Sequence, residues 1–269
     1  MEFRLELETA IRAARVAGEV IAAYYARGSV QVDVKADASP VTQADRDADA
    51  AIAEVIRAAF PEDAILSEET PDDQTRLAKS RVWVIDPLDG TRDFVERTDD
   101  FAVHVGFTVD GAVVAGAVYL PVPREMYSAA IGGGAWREVG DQRTRLEVSN
   151  ARSIAKARIG ISRHHVSDRL RACLETAQVA PPFPIGASIK HMMLARGELD
   201  AVINLGSAEM EWDSCAPEIV IREAGGTYTH GDGTAFHYNN PDLVHRRGSI
   251  ASNGSSHPGL IELVRPYLP

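Results

Sequence analysis

Asp86 and Asp89 are the residues whose type and spacing point most directly to chemistry: two carboxylates three positions apart, closing an apolar run and followed at once by Gly90 and Thr91. Across a turn, that spacing can bring both acids to one centre, and hard oxygen donors of this kind suit magnesium or manganese. Gly90 lets the backbone approach a ligand closely. If Thr91 opens a helical turn, the amides of Gly90 and Thr91 face an anion together. A phosphate shared between a cation and these amides is the natural occupant. Each acid also has a plain structural reading, Asp86 as a cap and Asp89 as an exposed turn residue, so the rest of the chain must decide.

The elements that hold these acids are legible around them. Val82-Trp83-Val84-Ile85 reads as a strand buried on both faces, with Pro87 ending its ladder. The aspartates then emerge at a carboxyl end, where open α/β sheets place ligands. Residues 64–67 read as a short strand that delivers Glu68 and Glu69 in the same way. Asp45 falls in the first turn of a helix entered through residues 39–44, with Ile52, Val55, Ile56 and Ala59 as its buried stripe, and the dipole there favours a carboxylate. Asp213 stands before a helix whose core face is Ala216, Ile219, Val220 and Ala224, an ordinary place for an N-cap.

Other elements fill in around these. Leu7, Ile11, Ala14, Val20, Ile21 and Tyr24 predict a first helix ending near Gly28, and Asp110-Gly111 predicts a hairpin turn between apolar strands. Residues 125–128 read as the next strand, and Gly132-Gly133-Gly134 as a turn, since no Gly-Lys-Ser/Thr element follows. From residue 150 onward strands and helices alternate: a strand over 157–162, a helix over 167–176, a Pro-rich break over 181–184, a helix over 188–197 and strands over 199–205 and 249–252, with a closing helix around 260–264. The change of character predicts an α+β half over 1–150 carrying the metal site and an α/β half over 151–269 on the substrate side, packed as one catalytic unit.

Composition sets bounds. The 269 residues are 45% hydrophobic, enough for a large core, and the formal charge of −11 argues against a nucleic-acid polymer as partner. No apolar run approaches bilayer length, and Glu2, Glu6 and Glu8 replace the basic start of a secretory signal, which predicts a cytoplasmic protein without a membrane partner. Cys173 and Cys215 show no metal-like spacing and read as core fillers. His104, His191, His230, His237, His245 and His257 show no ligand spacing either.

Taken together, Asp45, Glu68-Glu69, Asp86-Pro87-Leu88-Asp89-Gly90-Thr91 and Trp212-Asp213 resemble, in order and spacing, the signature of the lithium-sensitive, magnesium-dependent phosphatases related to inositol monophosphatase. That resemblance implies an α+β/α/β fold, the layered αβαβα sandwich of the family. It implies a first magnesium on Glu68, Asp86 and the Leu88 carbonyl, a second on Asp86, Asp89 and Asp213, and a third assisted by Glu68, with manganese as a substitute. By the same resemblance Gly90 and Thr91 donate amides to phosphate, Thr91 with Asp45 deprotonates the attacking water, and Asp213 also touches substrate. The partner is a small phosphate ester, and the resemblance leaves room for a homodimer.

Inositol-phosphate members commonly read Gly-Thr-Thr-Asn-Phe where this chain has Gly90-Thr91-Arg92-Asp93-Phe94, and they carry a sugar-binding glutamate where Gly206 stands. Glu209 or Glu211 replaces it only if the loop shifts. Members that act on 3'-phosphoadenosine 5'-phosphate typically read Gly-Thr-Lys-Glu-Phe, Ser-Arg-Ser-His and Gly-Ser-Ser-Leu-Lys. Here stand Arg92-Asp93-Phe94, Ser162-Arg163-His164-His165 and Gly186-Ala187-Ser188-Ile189-Lys190, so that Arg163, Ser188 and Lys190 become candidates for binding substrate, with Lys190 or Arg163 meeting a second phosphate. Rival readings are a broad sugar-phosphate phosphatase, a haloacid-dehalogenase-type enzyme, whose aspartates are two rather than three apart, and a metal-dependent anion-binding regulator without turnover.

Overall fold

The computed structural model describes residues 2–28, 32–34, 40–206 and 209–268, so Ser39 at the entry to the second helix lies outside the described residues. Among them the first half runs α1 (Arg4–Arg27), β1 (Val32–Val34), β2 (Pro40–Thr42), α2 (Gln43–Ala59), β3 (Ala64–Ser67), β4 (Arg81–Asp89), α3 (Thr91–Glu96), β5 (Ala102–Val109), β6 (Ala112–Leu120), β7 (Glu125–Ala130), β8 (Ala135–Val139) and β9 (Gln142–Arg145). The remainder runs β10 (Ile159–Ser162), α4 (Asp168–Ala177), β11 (Phe183–Ile185), α5 (Ile189–Ala195), β12 (Ala201–Asn204), β13 (Glu209–Met210), α6 (Glu211–Glu223), β14 (Thr227–His230), β15 (Val244–His245), β16 (Ser249–Ser252) and α7 (His257–Val264).

Strands β3 to β9 form one seven-stranded sheet in chain order, and a five-stranded sheet has the order β11-β10-β12-β16-β14. Among the described residues three apolar cores fill the four interfaces between five layers, the middle one reaching both faces of the α5 and α6 layer. The alternation of β4 shows why: Trp83 and Ile85 join the core beneath α1 and α2, whereas Val82 and Val84 join the core shared with α6. On the second sheet, Ile203 and Ile250 meet Leu170 and Leu260 of α4 and α7, while Val202 and Ala251 face the α5 and α6 layer. The result is the αβαβα sandwich the resemblance implies, with α6 lying between the sheets. Strand β5 comes so near α6 that a Cβ on Gly106 would stand 2.5 Å from Cys215 Sγ.

Three expectations change. Pro87 does not end the ladder of β4, because pairing resumes from Asp86↔His104 to Asp89↔Ala102 through a bulge. The Pro-rich break contains a strand, β11, at the sheet edge, where a proline's missing N–H is tolerated. Helix α6 begins at Glu211, so Asp213 lies inside its first turn and is not its N-cap. Among the described residues no helix is long and apolar enough to cross a membrane.

Candidate metal and phosphate site

Strands β3 and β4 are parallel neighbours with Ser67 opposite Ile85, so Glu68 leaves one strand tip beside the other. On a regular strand Asp86 and Asp89, an odd number of residues apart, would face opposite sides. The bulge sets three residues of β4 against two of β5 and brings the acids together. Asp213 arrives from the first turn of α6, its Oδ2 accepting the Met210 amide at 2.7 Å. One carboxylate oxygen each from Asp86, Asp89 and Asp213 then lies within 4.8 Å of the others. Glu68 stands outside that trio, near enough for its charge to act on Asp213.

The electrostatics record the crowding. Burial, then the charges of Asp89 and Glu68, push the Asp213 carboxyl well above the usual range. Burial raises Asp89 as well, but His104, Lys190 and the Ser188 amide together hold it below the ordinary value. The Ser188 N–H donates to Asp89 Oδ2 at 2.6 Å. His104 Nδ1 meets the Trp212 carbonyl at 3.2 Å, an acceptor that requires a proton on that nitrogen. Its fully buried Nε2 is 3.2 Å from Asp89 Oδ2 without hydrogen-bond alignment. Ligand spacing does not single out His104, but a histidine inside the otherwise largely apolar run of β5 is the signal that the sequence offers. An all-oxygen set of converging carboxylates, one of them pushed toward protonation by its neighbours, fits a hard divalent cation.

Beside the trio lies a second constellation. Thr91 Oγ1 donates to Asp45 Oδ1 at 2.8 Å and lies 3.2 Å from the Leu88 carbonyl. Asp45 Oδ2 accepts from the Thr42 amide at 2.8 Å and from its hydroxyl at 2.6 Å, the reach-back of a capping box. Burial raises the Asp45 carboxyl against these bonds. Thr91 is the first residue of α3, with Gly90 before it at φ +91°, a conformation glycine favours.

The candidate substrate residues part company. Arg163 is committed: its Nη1 donates to Asp93 at 2.6 Å and to Thr98 Oγ1 at 3.1 Å, and its Nη2 pairs with Asp100, so it offers no free cation for a second phosphate. Ser188 is buried and acts on Asp89 through its backbone. Lys190 bonds the Ala187 carbonyl with one of its three N–H donors and lies within the field of Asp89, Asp213, Glu209 and Asp93; burial lowers its pKa against those charges. Glu209 is held by Tyr228, Ser249 and Asn204, and Glu211 by the amides of Asn239 and Asn240, so neither replaces a sugar-binding glutamate. A cleft of about 490 Å³ adjoins Glu68, lined by Arg46, Glu69, Thr70, Trp212 and Leu243 among others.

Comparison with known proteins places this geometry. The chain is 34% identical over 235 residues to the 3'(2'),5'-bisphosphate nucleotidase CysQ of Escherichia coli, covering 86% of this chain and 93% of that one. It is 28% identical to a histidinol-phosphatase of Chlorobaculum parvum over 96% of both chains. Its structure superimposes on CysQ from Bacteroides thetaiotaomicron with a TM-score of 0.80 at 28% identity, covering 93% of this chain and 98% of that one. Residues 4–268 match the model of the inositol monophosphatase family, and with that match the chain belongs to the inositol monophosphatase family.

Proposed function

We propose that the protein is a divalent-metal-dependent phosphomonoester hydrolase that removes the 3'-phosphate of 3'-phosphoadenosine 5'-phosphate to give AMP. The observation that carries this reading is the convergence of Asp86, Asp89 and Asp213 beside the Thr91–Asp45 pair. Glu68, Asp86, the Leu88 carbonyl, Asp89 and Asp213 would hold two or three magnesium ions, with manganese able to replace them. Bound there, such cations lower the pKa of water and neutralise phosphoryl oxygens.

The chain's own groups handle the proton. Because Thr91 gives its hydroxyl proton to Asp45, its oxygen lone pairs are free to accept one from water, and the proton passes on to Asp45. Burial raises that carboxyl and so its proton affinity. The amides of Gly90 and Thr91 face the phosphate, and no covalent phospho-enzyme is needed.

The nucleotide substrate rests on the CysQ relatives, on Lys190 beside the carboxylates and on Gly206 where a sugar-binding glutamate would stand. A broader phosphatase is the second reading, favoured by the full-length histidinol-phosphatase match. Phosphate release from 3'-phosphoadenosine 5'-phosphate, inositol 1-phosphate, histidinol phosphate and fructose 1,6-bisphosphate, with magnesium and with a chelator, tests both. Lys190→Ala should cost about tenfold or more in kcat/KM on the nucleotide and far less on inositol 1-phosphate. Equal losses on the two would remove the nucleotide reading, and no turnover on any ester would leave a regulator.

A further inference from the structure

Two of the acids come from segments far apart in the chain, and one guanidinium spans the gap. Arg76 sits in a 3-10 turn, Thr75–Ala78, on the loop that begins at Glu68, and is 2% exposed. Its Nε and Nη2 donate to the Asp72 carboxylate at 3.1 and 2.8 Å, its Nη1 to Asn239 Oδ1 at 2.7 Å, and its Nη2 to the Asn240 carbonyl at 2.9 Å. Asn239 answers from the other side, its Nδ2 donating to the carbonyls of Arg76 at 3.1 Å and Lys79 at 3.3 Å. The amides of Asn239 and Asn240 donate to Glu211 at 2.7 and 2.9 Å, and Asn240 Nδ2 adds a third bond at 2.7 Å. Glu211 is fully buried and opens α6, on the same turn as Asp213.

We propose that Arg76 is a positioning residue for the metal site, locking the loop that bears Glu68 against the helix that bears Asp213. The inference rests on the metal-dependent reading above. Carboxylates gathered to bind one set of cations repel one another when the cations are away, and the segments carrying them separate unless something else holds them. The hydrophobic effect that packs the layers is non-directional. A planar fork with five donors is directional, because it fixes the distance and the angle to three acceptors at once. Every partner in the chain from Asp72 through Asn239 to Glu211 is hydrogen-bonded in return, the condition under which a buried polar network specifies one arrangement. Asn239 adopts φ +63°, a conformation that asparagine tolerates better than most residues.

Two variants separate positioning from general stability. Arg76→Lys keeps the charge but cannot fork to Asp72, Asn239 and Asn240 together. Asn239→Gly keeps the left-handed backbone and its amide bond to Glu211 while removing the side chain that meets Arg76. The full-length proteins are titrated with manganese and the free ion is read by electron paramagnetic resonance. Thermal melting without metal is recorded, and the magnesium dependence of turnover is measured. We expect the dissociation constant for manganese and the magnesium needed for half-maximal turnover to rise by about tenfold, with KM for substrate at saturating metal within about twofold. A folded variant whose melting temperature drops while its manganese affinity matches wild type overturns the proposal and leaves a plain staple. If Arg76→Lys does not fold, Asn239→Gly decides. A wild-type protein that binds no divalent cation overturns the metal reading itself, an outcome visible before either variant is compared.

Discussion

The Thr91 hydroxyl donates to Asp45 Oδ1 across 2.8 Å, joining the turn that carries Asp86 and Asp89 to the first turn of a helix from another part of the chain. Were Thr91 merely a helix-start residue, its replacement by valine would be mild. In the proposed role of handing a water proton to Asp45 it should be far more sensitive: Thr91→Val should lower kcat by about 10²- to 10⁴-fold, with manganese affinity unchanged. Thr91→Ser should restore turnover to within about tenfold. Steady-state kinetics with a metal titration checks this, and a Thr91→Val enzyme of ordinary speed removes the residue from the proton path.

Asp89→Asn should abolish turnover and leave the fold nearly intact, since the side chain is a partly exposed member of the carboxylate trio and belongs to no apolar core. The same change should remove most of the stabilisation that metal confers. Saturation at about 100 times the dissociation constant is worth about 2.7 kcal/mol to a protein that binds in its native state alone. Melting curves with and without magnesium should therefore separate for wild type and nearly coincide for Asp89→Asn. A variant that keeps wild-type turnover contradicts the ligand assignment.

What the sequence reveals depends on how local the cause is. Strand β4 is legible because its apolar run is bounded by charge and proline, and the hairpin at Asp110-Gly111 because its turn chemistry is short-range. Strand β9 carries Gln142-Arg143-Thr144-Arg145, all exposed, and forms because β8 offers a ladder, so its own residues give no signal. Arg163 and Lys190 look equally available in the sequence. Only the folded chain brings Asp93 and Asp100 onto Arg163 and leaves Lys190 in the field of Asp89 and Asp213. His104 escapes notice for the same reason, since its significance lies in a cross-strand partner and in a carbonyl from α6.

Gly106 tests the layer that presses α6, and with it Asp213, onto the first sheet. A methyl group there would meet Cys215 Sγ at 2.5 Å and Cys215 Cβ at 3.1 Å, both fully buried, so the Cys215 side chain or the helix that carries it must shift. Overpacking of a close-packed interior costs about 1–3 kcal/mol. Gly106→Ala should show that loss in urea denaturation, together with weaker manganese binding as Asp213 withdraws from Asp89. Gly106→Ala with Cys215→Ala should recover much of both. No recovery would mean that the contact does not set the helix position.

Acid stability follows from the second-half histidines. Burial first, then the charges of His245 and Arg247, lower His230 to about 4, and burial with Arg247 lowers His245 to about 4. His245 also shares a hydrogen bond with Ser214 Oγ at 2.8 Å. In the unfolded chain each ring takes a proton near pH 6.5. Between that value and about 4 the unfolded state binds more protons, so the stabilisation is complete above pH 6.5 and is lost as the pH falls toward 4. Each ring accounts for about 2–3 kcal/mol by pH 4.5, and the two do not add because they face each other at 5.1 Å. Carboxyls that burial raises, such as Asp213 and Glu218, act in the opposite sense and offset part of the loss. Comparing wild type with His245→Gln cancels that shared contribution. The stability difference between them in urea should therefore narrow by about 2 kcal/mol from neutral pH to about pH 4.5. Parallel pH profiles for the two proteins would show that His245 enters the folded state with its ordinary proton affinity.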